Sequence, residues 1–350
     1  QVRYIHVIPP RHAQGLVAQV YHHTEQDFGI LAPPVALHSP APASLAATWL
    51  MLRETLLADG HASRTAKETV ATEVSRANDC PYCVDVHQAV LDTLPRNESL
   101  PPLTQRAATT THPTNPTNPV PHTPTLPLTP RQATELHGVA TTFHYINRMV
   151  TLFLTDSPMP ARTPAPLHRP IMHTTALAMR PTTPGPLTPG TSLHLLPPAP
   201  PHPTLQWAHN TPHIADAFTR ALTAINHGAR WIPPPVQQHL HTHLTHWNGN
   251  PPPLSRAWLT QALTTLPTTD IPTARLALLT ALAPHQTLPQ DITTFKNQHP
   301  TDRQLIELTS WAALTTALHI ANHTHPPHHT PTPHPTDHKQ PNPKPDIKSS

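Results

Sequence analysis

Apolar residues recur at helical spacing in two stretches of the chain, separated by proline-rich segments without periodicity. Between residues 13 and 28, Leu16, Val17, Val20, Tyr21 and Phe28 fall at near-helical spacing. Residues 33–42 are proline-rich and read as a connector. Residues 43–59 carry Leu45, Trp49, Leu52 and Leu56 on one face and stop at Gly60. Ser63 is suited to cap a helix over 64–78. On that helix Glu68, Thr72 and Ser75 share one stripe, and Val70, Val74 and Ala77 share another. Glu73 lies off the Glu68 stripe and reads as a solvated charge, the fallback carboxylate if Glu68 is not the functional one. A further helix is predicted over 131–155, where Phe143, Ile146, Val150 and Phe153 form an apolar stripe. The second stretch predicts helices over 213–226, 235–247, 254–266, 272–283, 291–298 and 302–322.

These patterns divide the chain into six parts. Residues 1–94 form an N-terminal helical unit, and 95–133 a Pro/Thr-rich mobile linker that cannot bury enough apolar area to offset its ordering entropy. Residues 134–158 form a connecting helix, 159–205 a Pro-rich loop, 206–322 a second helical unit, and 323–350 a disordered His/Pro-rich tail. The second unit reads as a degenerate repeat of the first. RAWLTQAL echoes TWLMLRETL, with Trp258 opposite Trp49. ARLALLTALAPHQTLPQDITTF lies on AKETVATEVSRANDCPYCVDVH without gaps, so that Glu68 faces Leu276, Cys80 Leu288, Cys83 Asp291 and His87 Phe295. The fold class is therefore all-α, built from two pseudo-repeated units with Pro-rich connectors.

Composition narrows the chemistry. Of 350 residues 51 are Pro and 31 His but only 8 Gly, and just 12% are charged, against roughly 25% in an average protein. Proline, threonine, histidine and glutamine codons begin with A or C followed by A or C, and glycine codons with GG. A skewed genome composition accounts for both the excess and the deficit, so most histidines carry no signal. The same reasoning discounts a transition-metal site at His323, His325, His328 and His329, although neutral imidazoles suit Ni, Cu or Zn. The formal charge of +3 comes with no cluster of Lys or Arg, which leaves no footprint for nucleic acid. No apolar run reaches the ~18 residues of a membrane span. No basic region followed by an apolar stretch marks a signal peptide, and the chain opens on Gln1 rather than Met. A cytoplasmic enzyme is the expectation. The triplet Asp27-Phe28-Gly29 matches a kinase signature, but its companion loops are missing, so it is fortuitous.

The two cysteines, Cys80 and Cys83, form a C-P-Y-C motif with His87 four residues further on and Glu68 twelve residues before Cys80. Asn78 and Asp79 read as a turn and N-cap, so a helix starts at the motif and places residues 80, 83 and 87 on one face. A thiolate is the attacking species in disulfide chemistry, and a helix N-terminus draws a C-x-x-C thiol from pKa ~8.5 towards ~7 or lower. His87 is placed to accept or pass on a proton, with Glu68 orienting its ring or acting through water. By helix position alone, Cys80 is the lower-pKa sulfur.

E-x11-C-P-Y-C-x3-H resembles the signature of the AhpD-like alkylhydroperoxidase (carboxymuconolactone decarboxylase-fold) family. RYIHVIPPRHAQGLVAQVY, DFGILAPPVALHSPAP, WLMLRETLLADG and TTFHYINRMVTLFL resemble a double-length actinobacterial branch of it. The resemblance implies an all-helical fold and an antioxidant dithiol/disulfide peroxidase activity without a cofactor. It makes Cys83 the peroxide-facing thiol, Cys80 its disulfide partner, and Glu68 and His87 the proton relay. It implies an organic hydroperoxide or a peroxiredoxin as the oxidised substrate, a lipoyl-type dithiol as a possible reductant, and a homo-oligomer. On the 131–155 helix, His144, Tyr145, Asn147 and Arg148 either approach the thiol pocket or belong to a packed helix with an ion-paired arginine.

Other readings of the motif are weaker. Zinc needs a fourth ligand and normally a second spaced pair. Haem attachment needs histidine where Val84 stands. A buried inert pair is the bland alternative. Within the same family, decarboxylases use a histidine without the cysteine pair, which makes lactone decarboxylation the runner-up. A non-catalytic helical interaction protein with a relic motif is the third reading.

Overall fold

The computed structural model describes residues 2–95, 128–159, 163–182 and 185–324. Most of the Pro/Thr-rich linker and all but the first two residues of the tail, with His325, His328 and His329, lie outside the described residues. The described fold is all-α. Its one extended pairing is a single bridge between Val2 and Leu154.

The first unit contains α1 (Gly15–Phe28), the short α2 (Pro33–Ala36), α3 (Pro42–Leu52), α4 (Arg64–Ala77), α5 (Pro81–Leu91) and α6 (Pro130–Phe153). Helix α7 (Ala165–Ala178) follows. The second unit contains α8 (Pro212–Gly228), α9 (Pro234–Thr245), α10 (Ala257–Ala262), α11 (Ile271–Leu282), α12 (Pro289–Gln298) and α13 (Asp302–Thr324). Proline occupies the first turn of α3, α5, α6, α8, α9, α11 and α12. There its missing N–H costs nothing and its fixed φ suits the helix. This reconciles a proline-rich chain with an all-helical fold. Ser63 caps α4 by accepting from Ala66 N–H at 3.0 Å, and Thr129 and Gln132 close a capping box on α6.

The helical units repeat. Helix α3 packs along α8 and α6 along α13, so equivalent elements meet across the middle of the molecule. On one side α4 packs on α5 and α6; on the other α11 packs on α12 and α13. Laying 274 on 66 places the start of α12 on that of α5, with Leu288 standing at the N-cap as Cys80 does. The pairing of Trp258 with Trp49 fails. By its packing the counterpart of α3 is α8, whereas Trp258 sits in the six-residue α10, which touches α11 instead. The second unit has α9 and α10 inserted between these counterparts, and a short W/L motif could not reveal that.

Two boundaries also differ from expectation. The connecting helix runs Pro130–Phe153 rather than 134–158, because its cap is Thr129. The expected Pro-rich loop holds α7, which packs on α5 despite Pro170 inside it. Beyond Leu52 the α3 helix continues as a π-helical turn, Arg53–Leu57, with Arg53 and Glu54 both buried. Arg53 bonds Asp27 at 2.8 Å and Glu54 at 2.9 Å, and Glu54 accepts from Gly190 N–H and Ser192 Oγ, each at 2.7 Å. That buried cluster ties the segment after α7 to the first unit. No described helix is long and apolar enough to cross a membrane.

Candidate active site

Helix α4 ends at Asn78, its C-cap. Asp79 then turns the chain in the left-handed region, at φ 49°. Cys80 is itself the N-cap of α5, ahead of Pro81. The expected Asn78/Asp79 cap is therefore one step too early: Pro81 fixes where the helix begins, and the Cys80 N–H donates back to Ser75 O at 3.0 Å. Cys83 lies in the first turn. The two sulfurs are 2.7 Å apart, beyond the ~2.05 Å of a disulfide bond, and both cysteines are free and buried.

One turn on, His87 Nδ1–H donates to Glu68 Oε2 at 2.8 Å. The other carboxylate oxygen of Glu68 accepts from Arg64 Nε at 2.9 Å and lies 2.6 Å from Arg64 Nη2. Glu68 is completely buried. Burial is the largest single influence on its pKa and works upward. The Arg64 guanidinium and the His87 imidazole together outweigh it and hold the carboxyl below the usual carboxylate range. Glu68 is thus an anion that holds His87 by Nδ1, so that a proton exchanged between this ring and the cavity would pass through Nε2. The ring stands edge-on to Phe143, centroids 4.6 Å apart.

The helix N-terminus does not lower the Cys83 thiol. Burial first, then the neighbouring Cys80, push it well above the ordinary thiol range. Burial therefore favours the neutral thiol at this position.

Cys83 and His87 line a small apolar cavity of about 40 Å³ with Phe28, Ala32, Leu52, Val86, Phe143 and Ile146 around them. A water needs ~10–15 Å³ by this measure, so the cavity admits a head group of a few heavy atoms. Met179, just past α7, closes one wall. Gly29 permits this docking: its φ is +84°, and a Cβ there would lie 2.2 Å from Ala178 O.

Of α6, the apolar-stripe residues Phe143 and Ile146 reach this cavity, whereas the candidates His144, Tyr145, Asn147 and Arg148 do not line it. Arg148 donates to the carbonyls of Ala281 at 2.8 Å and His144 at 2.7 Å rather than forming an ion pair. Asn147 pairs with Ser75 at 3.2 Å. Glu73 bridges to Arg76 at the surface. Sequence reasoning missed Arg64, whose signal was its position four residues before Glu68 on one helix. It also missed Met179, which carried none. Among the described residues no group of three or more His, Cys, Asp or Glu is placed to hold a metal ion.

Residues 43–91, which run from α3 through α5, match the model of the carboxymuconolactone decarboxylase family. Over 335 aligned residues the chain is 33% identical to an alkyl hydroperoxide reductase of Mycobacterium tuberculosis, covering 91% of this chain and 94% of that protein.

Proposed function

The chain belongs to the AhpD-like, carboxymuconolactone decarboxylase family, and on that footing we propose that it is a dithiol peroxidase that reduces organic hydroperoxides through Cys83 and Cys80. The observation that carries this reading is the buried line Arg64–Glu68–His87 ending in the cavity that Cys83 lines. His87 Nε2 takes the proton of the Cys83 thiol. The thiolate attacks the terminal peroxide oxygen, giving a Cys83 sulfenic acid. The departing alkoxide receives the proton from His87 and leaves as the alcohol. The Cys80 thiol then condenses with the sulfenic acid, releasing water and leaving a Cys80–Cys83 disulfide. An external dithiol, or two thiols in succession, reduces that disulfide, leaves as its own disulfide and closes the cycle. The same thiolate is suited to attack the disulfide of a partner peroxiredoxin.

Thiol trapping tests the reading. Reduced protein is treated with cumene hydroperoxide, then with dithiol, and free thiols are counted for wild type, Cys80→Ser and Cys83→Ser. Reversible loss of both thiols in wild type alone is the expected result. Two thiols that stay free under peroxide overturn it, and release of CO2 from a carboxylated lactone would replace it with a lyase.

A further inference from the structure

Cys80 and Cys83 open onto different cavities. The apolar cavity that holds Cys83 and His87 does not include Cys80. Cys80 instead lines a second cavity of about 280 Å³ with Arg3, Tyr4, Asp79, Asp156, His285 and Thr287 among its walls. Tyr82 lies between them and lines both.

This second cavity is built rather than incidental. The N-terminal strand-like segment is held across its mouth: Arg3 N–H donates to Phe153 O at 2.7 Å, Arg3 Nη2 bonds Leu154 O, and Lys296 Nζ donates to Tyr4 O at 2.7 Å. Among the described residues other than glycine, only Tyr4 and Asp79 have positive φ, 69° and 49°, and both line it. Such backbone persists where the surroundings enforce it, often at ligand sites. The far wall comes from the second unit: Thr287 precedes Leu288 there as Asp79 precedes Cys80 in the first.

We propose that the Cys80 cavity is the docking site for the reductant, a small hydrophilic thiol of cysteinyl type, so that peroxide and reductant reach the disulfide from opposite sides. The inference rests on the dithiol reading. A volume of about 280 Å³ lies at the low end of small-molecule pockets, ~300–1,000 Å³. Arg3, Asp79, Asp156 and His285 give the cavity walls charged and hydrogen-bonding side chains, suited to the carboxylate, ammonium or hydroxyl groups of such a thiol. The incoming thiolate attacks Cys80 Sγ, breaking the Cys80–Cys83 bond. A mixed disulfide forms on Cys80, and Cys83 leaves with its electron pair and is reprotonated by His87. A second thiol attacks the mixed disulfide, releasing the oxidised small disulfide and the free Cys80 thiol.

Three measurements test this on the full chain. In Cys83→Ser, cystine should form a mixed disulfide with Cys80, seen as an added cysteinyl mass, and Cys80→Ser should form none at Cys83. This arm involves no peroxide, so it stands or falls apart from the peroxidase reading. Next, Thr155→Trp, which fills the cavity from an exposed position, should slow reduction of the preformed disulfide by L-cysteine by about tenfold or more and leave oxidation by cumene hydroperoxide unchanged. Finally, His285→Ala, at an exposed wall residue, should slow L-cysteine but not ethanethiol, which lacks the polar groups. Preferential labelling of Cys83, equal slowing of both half-reactions by Thr155→Trp, or equal response of the two thiols to His285→Ala would each overturn the assignment.

Discussion

At the scale of single residues the site turns on a carboxylate kept charged although fully buried. Glu68 stays ionised because Arg64 and His87 outweigh its burial. It holds the imidazole by Nδ1, and in the proposed cycle His87 does the proton transfer. Glu68→Gln keeps the shape and removes the charge. The expected result is a ~10²–10⁴-fold loss in the rate of peroxide-driven thiol oxidation, the range for a displaced acid–base group. The sign of the pH effect follows from the depressed pKa. The carboxylate stabilises the native state fully above the unfolded value near 4.5, and that stability is lost as pH falls through the lower folded value. Urea midpoints of wild type should drop below pH ~4.5 more steeply than those of Glu68→Gln. A pH-independent difference between the two would refute the ionised assignment. The motif itself was legible because Glu68, Cys80, Cys83 and His87 stand at spacings that two adjacent helices bring together. Arg64 was not, since an arginine four residues before a glutamate is an ordinary surface pairing until the glutamate proves to be buried. The direction of the Cys83 shift was illegible for the same reason: the dipole can be read from position, but desolvation depends on what packs around the thiol.

At the scale of elements, the piece hardest to read was α7. Its two prolines and few charges give it the composition of a loop, and Pro170 breaks its hydrogen-bond ladder. Packing on α5 supplies what propensity lacks, and most of its outer face, with Leu167 and Ile171, stays exposed. Its last turn meets Gly29 so closely that no side chain fits between them. Gly29→Val adds both a strained positive φ and a clash with the Ala178 carbonyl. Hydrogen exchange in residues 165–180 should then accelerate by about tenfold or more, while α11 to α13 keep wild-type protection. Because Met179 walls the cavity, thiol alkylation at Cys83 should accelerate with it. Unchanged exchange in α7 would show that the helix is held by other contacts. By contrast α1, α3 and α4 were legible to within a few residues, since each carries an apolar stripe and a readable stop or cap.

Over the whole molecule, two helical units share one core, and only the first carries the cysteine pair. Where they join, Tyr145 of α6 lies 2.9 Å from His38 Nε2 and 3.2 Å from Ser310 Oγ of α13. Burial drives the His38 pKa down from 6.5 to about 3. The unfolded chain therefore takes up a proton that the native state refuses, so stability is intact above pH ~6.5 and falls as pH drops towards 3. The slope from this one group is up to ~1.4 kcal/mol per pH unit, and a His38→Gln variant should flatten it in urea titrations between pH 6 and 4. The register of the repeat was readable from Leu276 to Phe295, but the inserted α9 and α10 hid the true partner of α3. In the second copy Asp291 stands at the position of Cys83. It is buried, accepts the Leu288 N–H at 2.8 Å and takes both of its oxygens to Arg256 Nη2, at 2.8 and 2.7 Å. A thiol position has become a helix cap and an ion pair, which is a structural role. Asp291→Ala removes the cap and leaves Arg256 without its counter-charge. Arg256 is about a quarter exposed, so the cost is expected at ~2–3 kcal/mol rather than the ~3–5 kcal/mol of a fully buried pair. The peroxide half-reaction at Cys83 should stay at the wild-type rate per folded molecule. A variant that loses the thiol cycle while its unfolding midpoint holds would mean that the second copy still takes part in the chemistry, and that the two units cannot be divided into catalyst and support.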